Sequence, residues 1–198
     1  MRSRPYPPRL IRHRLPAFTL IELLIVIVII AILAAVAFPV YGMVMEVVRK
    51  TEAEKDVQDI KAAISTYYLE YGRFPYGGEQ DVELNTADDE IMSVLAGVEG
   101  NPLNNRGKVF YQGKRAKSAR EGTPIGGIYG EGDTIRMADP WGQPYYIIID
   151  ANYDDKVQNP DPGGTGGVEL RQTIVVWSKG KPMKKGGENE PKDWHTSW

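Results

Sequence analysis

Glu22 is the one ionisable side chain between Phe18 and Phe38, and Thr19 is the only other polar residue in that stretch. A carboxylate in hydrocarbon costs at least about 3 kcal/mol, so it must be protonated, paired with a cation or put to use. The rest of the chain offers little reactive chemistry. Only two histidines exist, His13 and His195, and cysteine is absent, which removes thiol nucleophiles, thiolate metal centres and disulfides. Ser178 and Lys179 are adjacent rather than one helical turn apart, and no G-x-S-x-G elbow occurs. Asp150, Asp154 and Asp155 lie in a proline- and glycine-rich excursion with no apolar run around them to form a cleft. The chain is therefore not read as an enzyme.

Phosphate and nucleic-acid chemistry fare no better. The Gly-Gly pair at 126–127 and Gly-Gly-Thr-Gly-Gly at 163–167 lack dinucleotide or phosphate-loop spacing. Lys114, Arg115, Lys117 and Arg120 fall in a glycine-rich stretch from Gly113 to Gly132 that reads as a solvated loop. Charge is asymmetric: Arg2, Arg4, Arg9, Arg12 and Arg14 precede the apolar run with no acid among them. Taking those five from 24 basic side chains leaves an acidic body with 26 Asp and Glu, which speaks against a nucleic-acid partner.

Positioning Glu22 needs a helix. Phe18 to Phe38, as a helix, spans about 32 Å at about 1.5 Å per residue, enough to cross a bilayer. The preceding arginines place the N-terminus in the cytoplasm and the body across the inner membrane, in the periplasm. A plain signal anchor fits hydropathy alone, whereas a cleaved secretory signal does not, since Phe38-Pro39-Val40-Tyr41 is a poor cleavage site. Pro39 removes a helical hydrogen bond and Gly42 loosens the same turn, so a kink is expected there. Beyond it, Val57, Ile60, Ile64, Tyr67, Tyr68 and Tyr71 recur at three- and four-residue spacing, opposite Glu54, Lys55, Asp59 and Lys61. The helix is expected to run from near Thr19 to about Glu70, stopped by Gly72 and Pro75.

In the remainder, Thr86-Ala87-Asp88-Asp89 reads as an N-cap for a short helix with Ile91, Val94 and Leu95, ending at Gly97 or Gly100. Asn101 to Gly107 reads as loop and Val109-Phe110-Tyr111 as a short extended piece. Tyr146 to Ile149 and Thr173 to Ser178 read as strands. The expected class is α+β: a long N-terminal helix, membrane-spanning in its first half, packed in its second half on a small antiparallel β-sheet.

Phe18-Thr19-Leu20-Ile21-Glu22-Leu23, after a basic leader and a small residue, and with Phe38-Pro39 further on, resembles the class III signal of type IV pilins and type II secretion pseudopilins. The resemblance implies that a prepilin peptidase cuts between Ala17 and Phe18 and methylates the new amine of Phe18. Alanine at position 17 departs from the family's usual glycine. It also implies that Glu22 pairs with the Phe18 amine of a neighbouring subunit during assembly; a pair within one helix is the alternative. Three segments follow: a cleaved leader over 1–17, a long helix over 18–72 that spans the membrane at 18–38, and a soluble periplasmic domain over 73–198.

Tyr71-Gly72-Arg73-Phe74-Pro75, Asp139-Pro140-Trp141-Gly142-Gln143-Pro144-Tyr145, Trp177-Ser178-Lys179-Gly180 and the closing Asp193-Trp194 resemble the major pseudopilin in particular. In that subfamily the Asp-Pro-Trp-Gly turn feeds the first strand of the sheet. The implied role is a structural subunit of a pilus-like filament that drives protein export across the outer membrane. Its implied partners are further copies of itself, other pseudopilins, the prepilin peptidase, an inner-membrane assembly platform and its ATPase. The alternatives are a type IV pilin of a surface pilus, serving adhesion, motility or DNA uptake, and a solitary filament-like membrane protein. The subfamily also implies Ca2+ in the last loop, here with oxygen from Ser178, Glu188, Glu190 and Asp193. Pro182 and Met183 stand where its usual aspartate would be, and Lys181, Lys184 and Lys185 bring positive charge to the same loop.

Overall fold

Apolar residues that recur every three or four positions form a helix whose buried stripe is as narrow as the spacing demands. In a computed structural model, which describes residues 18–118, 122–162, 167–182 and 194–198, the first helix, α1, is Leu20–Tyr71. The chain divides into two compact units, one ending at Val44 and the other Met45–Trp198. In the first, the helix continues without interruption through Pro39 and Gly42.

In the second unit, Ala53, Val57, Ile60, Ala63, Ile64 and Tyr67 are buried on one stripe of α1, while Glu54, Lys55 and Gln58 on the other side are exposed. Each fully buried isoleucine contributes about 1.5–3 kcal/mol relative to exposure. The helix ends at Gly72, whose φ of +67° suits glycine and whose N–H returns to the Tyr68 carbonyl at 2.8 Å.

That stripe packs on a four-stranded antiparallel sheet of β1 (Val82–Asn85), β6 (Tyr145–Ile149), β9 (Ile174–Ser178) and β10 (His195–Thr196), in the order β1-β6-β9-β10. Ile147 lies opposite Leu84 on one side and Val176 on the other. Alternation explains the unbroken Ile-Ile-Ile and Ile-Val-Val runs. Tyr145, Ile147, Ile149, Ile174 and Val176 face the helix, and Ile148, Val175 and Trp177 pack on the other face beneath Val157 and Leu170. Those two residues belong to the small hairpin of β7 (Val157–Gln158) and β8 (Glu169–Leu170). Both faces of the central strands are covered, so polar alternation is absent.

Several local expectations are revised. Thr86 does not cap a helix: α2 is Ile91–Leu95 with Glu90 at its N-cap and no side-chain cap. The Thr86 hydroxyl instead donates to the Met137 carbonyl at 2.7 Å and accepts from the Tyr145 N–H at 3.0 Å. Burial decides this, because a fully buried hydroxyl takes the partners that enclose it. Tyr146–Ile149 is not the first strand, since β1 precedes it. Val109-Phe110-Tyr111 joins no sheet; the N–H groups of Phe110 and Tyr111 both donate to the Leu95 carbonyl. Among its described residues, the stretch from Gly113 to Gly132 is not wholly loop. It holds β2 (Lys117–Ser118), β3 (Pro124–Ile125) and β4 (Gly127–Tyr129), the last paired with β5 (Arg136–Ala138). Within the Asn101–Gly107 loop, Pro102–Asn104 forms one 3-10 turn.

Candidate functional site: the head of the first helix

An isolated helix start leaves its first backbone N–H groups without partners, and a Ser/Thr-x-x-Glu sequence can satisfy them. Thr19-Leu20-Ile21-Glu22 does so. The Thr19 N–H donates to Glu22 Oε2 at 2.8 Å, the Thr19 hydroxyl donates to the same oxygen at 2.6 Å, and the Glu22 N–H donates to Thr19 Oγ1 at 3.3 Å. Glu22 thus folds back on the helix start rather than extending from the helix side. Phe18, immediately before the box, is 72% exposed. Ala17, on the other side of the expected scissile bond, lies outside the described residues, as does the leader.

From Leu20 to Val44 the large apolar side chains stand exposed. Such a continuous greasy surface is unstable in water. By length and composition the helix is able to cross a membrane. At Gly42 an added Cβ would meet nothing within 4 Å, so lack of space does not account for glycine there.

At the far end of the chain, Ser178 has a different engagement from the calcium role expected of it. Its hydroxyl donates to Asp139 Oδ2 at 2.6 Å and accepts from the Gly180 N–H at 2.9 Å. Asp139 Oδ1 accepts from the N–H groups of Trp141 and Gln143, so one carboxylate ties the Asp-Pro-Trp-Gly turn to β9. Asp139 is wholly buried, and that burial pushes its carboxyl up to about 6, against the pull of these hydrogen bonds. Glu188, Glu190 and Asp193 lie outside the described residues. Among the described residues no group of three His, Cys, Asp or Glu could hold a metal ion. His195 stacks on Trp141, with ring centroids 5.4 Å apart, and its Nδ1 lies 3.5 Å from Glu54 Oε1. Burial lowers its basicity.

The architecture at the N-terminus has counterparts elsewhere. Residues 17–38 match the prokaryotic N-terminal methylation motif. That motif contains Ala17, Phe18, Glu22 and the whole apolar run. A type IV major pilin protein PilE1 of Neisseria gonorrhoeae is 40% identical over 91 residues, covering 46% of this chain and 46% of the relative. A fimbrial protein of Neisseria meningitidis serogroup B is 47% identical over 58 residues, 29% of this chain and 34% of the relative. Fimbrial protein EcpC of Eikenella corrodens is 38% identical over 88 residues, 44% of this chain and 50% of the relative. The chain spans half or less of the length of these relatives. No solved structure matches. These relatives are pilins and fimbrial proteins, and they lend no support to the narrower resemblance to secretion pseudopilins.

Proposed function

We propose that this protein is a type IV pilin-like subunit of a filament, anchored in the inner membrane by its first helix until it assembles. The observation that carries the reading is the methylation motif placed on a helix head where Glu22 is the single charge of an exposed apolar rod. A prepilin peptidase would cut between Ala17 and Phe18 and methylate the new amine. An assembly platform and its ATPase would then lift the subunit into a bundle of apolar helices, with the acidic domains outward. Glu22 meets the Phe18 amine of an adjoining copy there, and desolvation makes that pairing a register device more than a source of raw stability. The role is structural rather than catalytic, as the pilin relatives indicate. Pro39 and Gly42 supply a compliant point in the rod.

A surface pilus is favoured by those relatives. The second reading, a secretion filament, rests on the Asp-Pro-Trp-Gly turn locked to Ser178 and on the lack of any cysteine for a C-terminal staple. Mass spectrometry of the native N-terminus tests the shared core of both. Methylated Phe18 is expected, and a working form that begins at Met1 overturns it. Deletion of the gene then separates the two, by loss of surface pili or loss of exported proteins from the medium.

A further inference from the structure

A pocket of about 360 Å3 opens beside the C-terminal end of α1, walled by Tyr68, Leu69 and Phe74 on one side and by Asp150, Tyr153 and Asp155 on the other. Three rings share the wall. Phe74 and Tyr153 stack at 5.6 Å and 19°, Tyr68 lies 4.7 Å from Phe74, and Tyr68 and Tyr153 are 6.5 Å apart. Tyr68 and Tyr153 are 37% and 50% exposed, so ring surface remains available to a ligand. Tyr153 holds a φ of +61°, unusual for an aromatic residue. Its hydroxyl accepts the Phe74 N–H at 3.2 Å, which fixes the ring against the wall.

The charged residues of the lining are of one sign. Asp150 is 1% exposed and accepts the N–H groups of Asp154 and Asp155 at 3.1 and 2.9 Å, yet no cation pairs with it among the described residues. Asp155 adds a second carboxylate to the lining. The last turn of α1 contains no basic residue, so the negative end of the helix dipole beside the pocket is uncompensated within the helix. Arg73, which follows, is exposed and is not part of the lining. A hard cation such as Ca2+ or Mg2+ would want about six or more oxygen ligands, and half of this wall is aromatic or aliphatic. Aromatic faces with nearby carboxylates suit a large, weakly hydrated cation instead.

We propose that this pocket binds an organic monocation, an alkylammonium group held against the Tyr68 and Tyr153 rings with its charge toward Asp150 and Asp155. The site does not depend on the filament reading. Calorimetric titration of the full-length protein in maltoside micelles with choline, N-acetyl-lysine methylamide and the neutral isostere 3,3-dimethylbutan-1-ol tests it. Saturable binding of at least one cation, at least tenfold tighter than the neutral isostere, is expected. Preference for choline marks a quaternary head group as the source and preference for the lysine derivative a basic side chain, and either supports the site. Asp155→Asn, which suits the left-handed backbone at that position, should weaken binding at least tenfold while the unfolding midpoint stays in place. No saturable binding of either cation, equal affinity for the neutral isostere, or an unaffected Asp155→Asn variant overturns the proposal.

Discussion

The Thr19 hydroxyl and the Glu22 carboxylate meet at 2.6 Å, and with two backbone N–H contacts they close a capping box at the head of the apolar helix. Glu22 therefore has a local partner set within its own helix. The intrahelical role and the proposed intersubunit role separate by mutation. Glu22→Ala is expected to leave the Phe18 N-terminus correctly processed in the membrane fraction and to reduce sheared filament to background. Thr19→Val removes only the hydroxyl of the box, at a helix cost of about 1 kcal/mol, and is expected to retain assembly. Filament at normal levels in Glu22→Ala would remove the assembly role. Equal loss in both variants would assign that loss to capping.

Burial of Asp139 is expected to make stability fall as pH rises. Its carboxyl is raised by burial to about 6 from 3.8, so folding favours the protonated form. Its contribution is fully present below the unfolded value and is lost as pH rises through the folded one. The difference corresponds to about 3 kcal/mol at about 1.4 kcal/mol per pH unit. Asp139→Asn should flatten the fall in unfolding midpoint between pH 4 and pH 6 relative to the unmodified protein. Parallel profiles in that window would show that Asp139 does not titrate there.

Legibility followed how much of a pattern each element had to itself. The long helix was readable because its buried stripe repeats for several turns and Gly72 and Pro75 stop it. The central strands β6 and β9 were readable as apolar runs bounded by turns. Strand β1, Val-Glu-Leu-Asn, was not, because an edge strand buries only Leu84 fully and otherwise looks like loop. Thr86 fitted a capping template that tertiary burial overrode. At the site, Glu22 was conspicuous as a charge in an apolar run. Its Thr-x-x-Glu spacing fits a capping box equally well, but a glutamate in an apolar run has two competing uses, and spacing does not choose between a local cap and a distant cation. The Asp139–Ser178 link spans 39 residues, and no local pattern carries such a pairing.

Tyr145 and Asp56 join the sheet to α1. The phenol donates to Asp56 Oδ2 at 2.8 Å, with Asp56 only 8% exposed. Burial raises the Asp56 carboxyl while the Tyr145 hydrogen bond opposes the rise, and Glu52, Lys55 and Lys114 act on it more weakly. Tyr145→Phe leaves a buried acceptor unmade, at a cost of about 1–3 kcal/mol. The loss should be larger at pH 8 than at pH 3, since below its unfolded value of 3.8 Asp56 is largely protonated in both states and the charged form no longer needs a donor. Thermal unfolding at the two pH values measures this, and an equal deficit at both would remove Asp56 as its cause.

Gly127 opens β4 where the chain passes close to the Lys114 carbonyl. An added Cβ would sit 2.4 Å from that oxygen, and the φ of +134° is one that L side chains rarely adopt. The contact cannot relax cheaply. The Ile128 N–H is bonded to the same Lys114 carbonyl at 2.8 Å, and the Lys114 ammonium is paired with Glu52 on α1. Gly127→Ala is expected to destabilise by about 1–3 kcal/mol through strain and displacement of this bridge. Gly77→Ala, where the new methyl meets nothing within 4 Å, should stay within about 0.5 kcal/mol of the unmodified protein. Comparison of unfolding midpoints decides it: equal behaviour of the two variants would mean that the Lys114 segment yields and that close backbone approach does not explain the glycine.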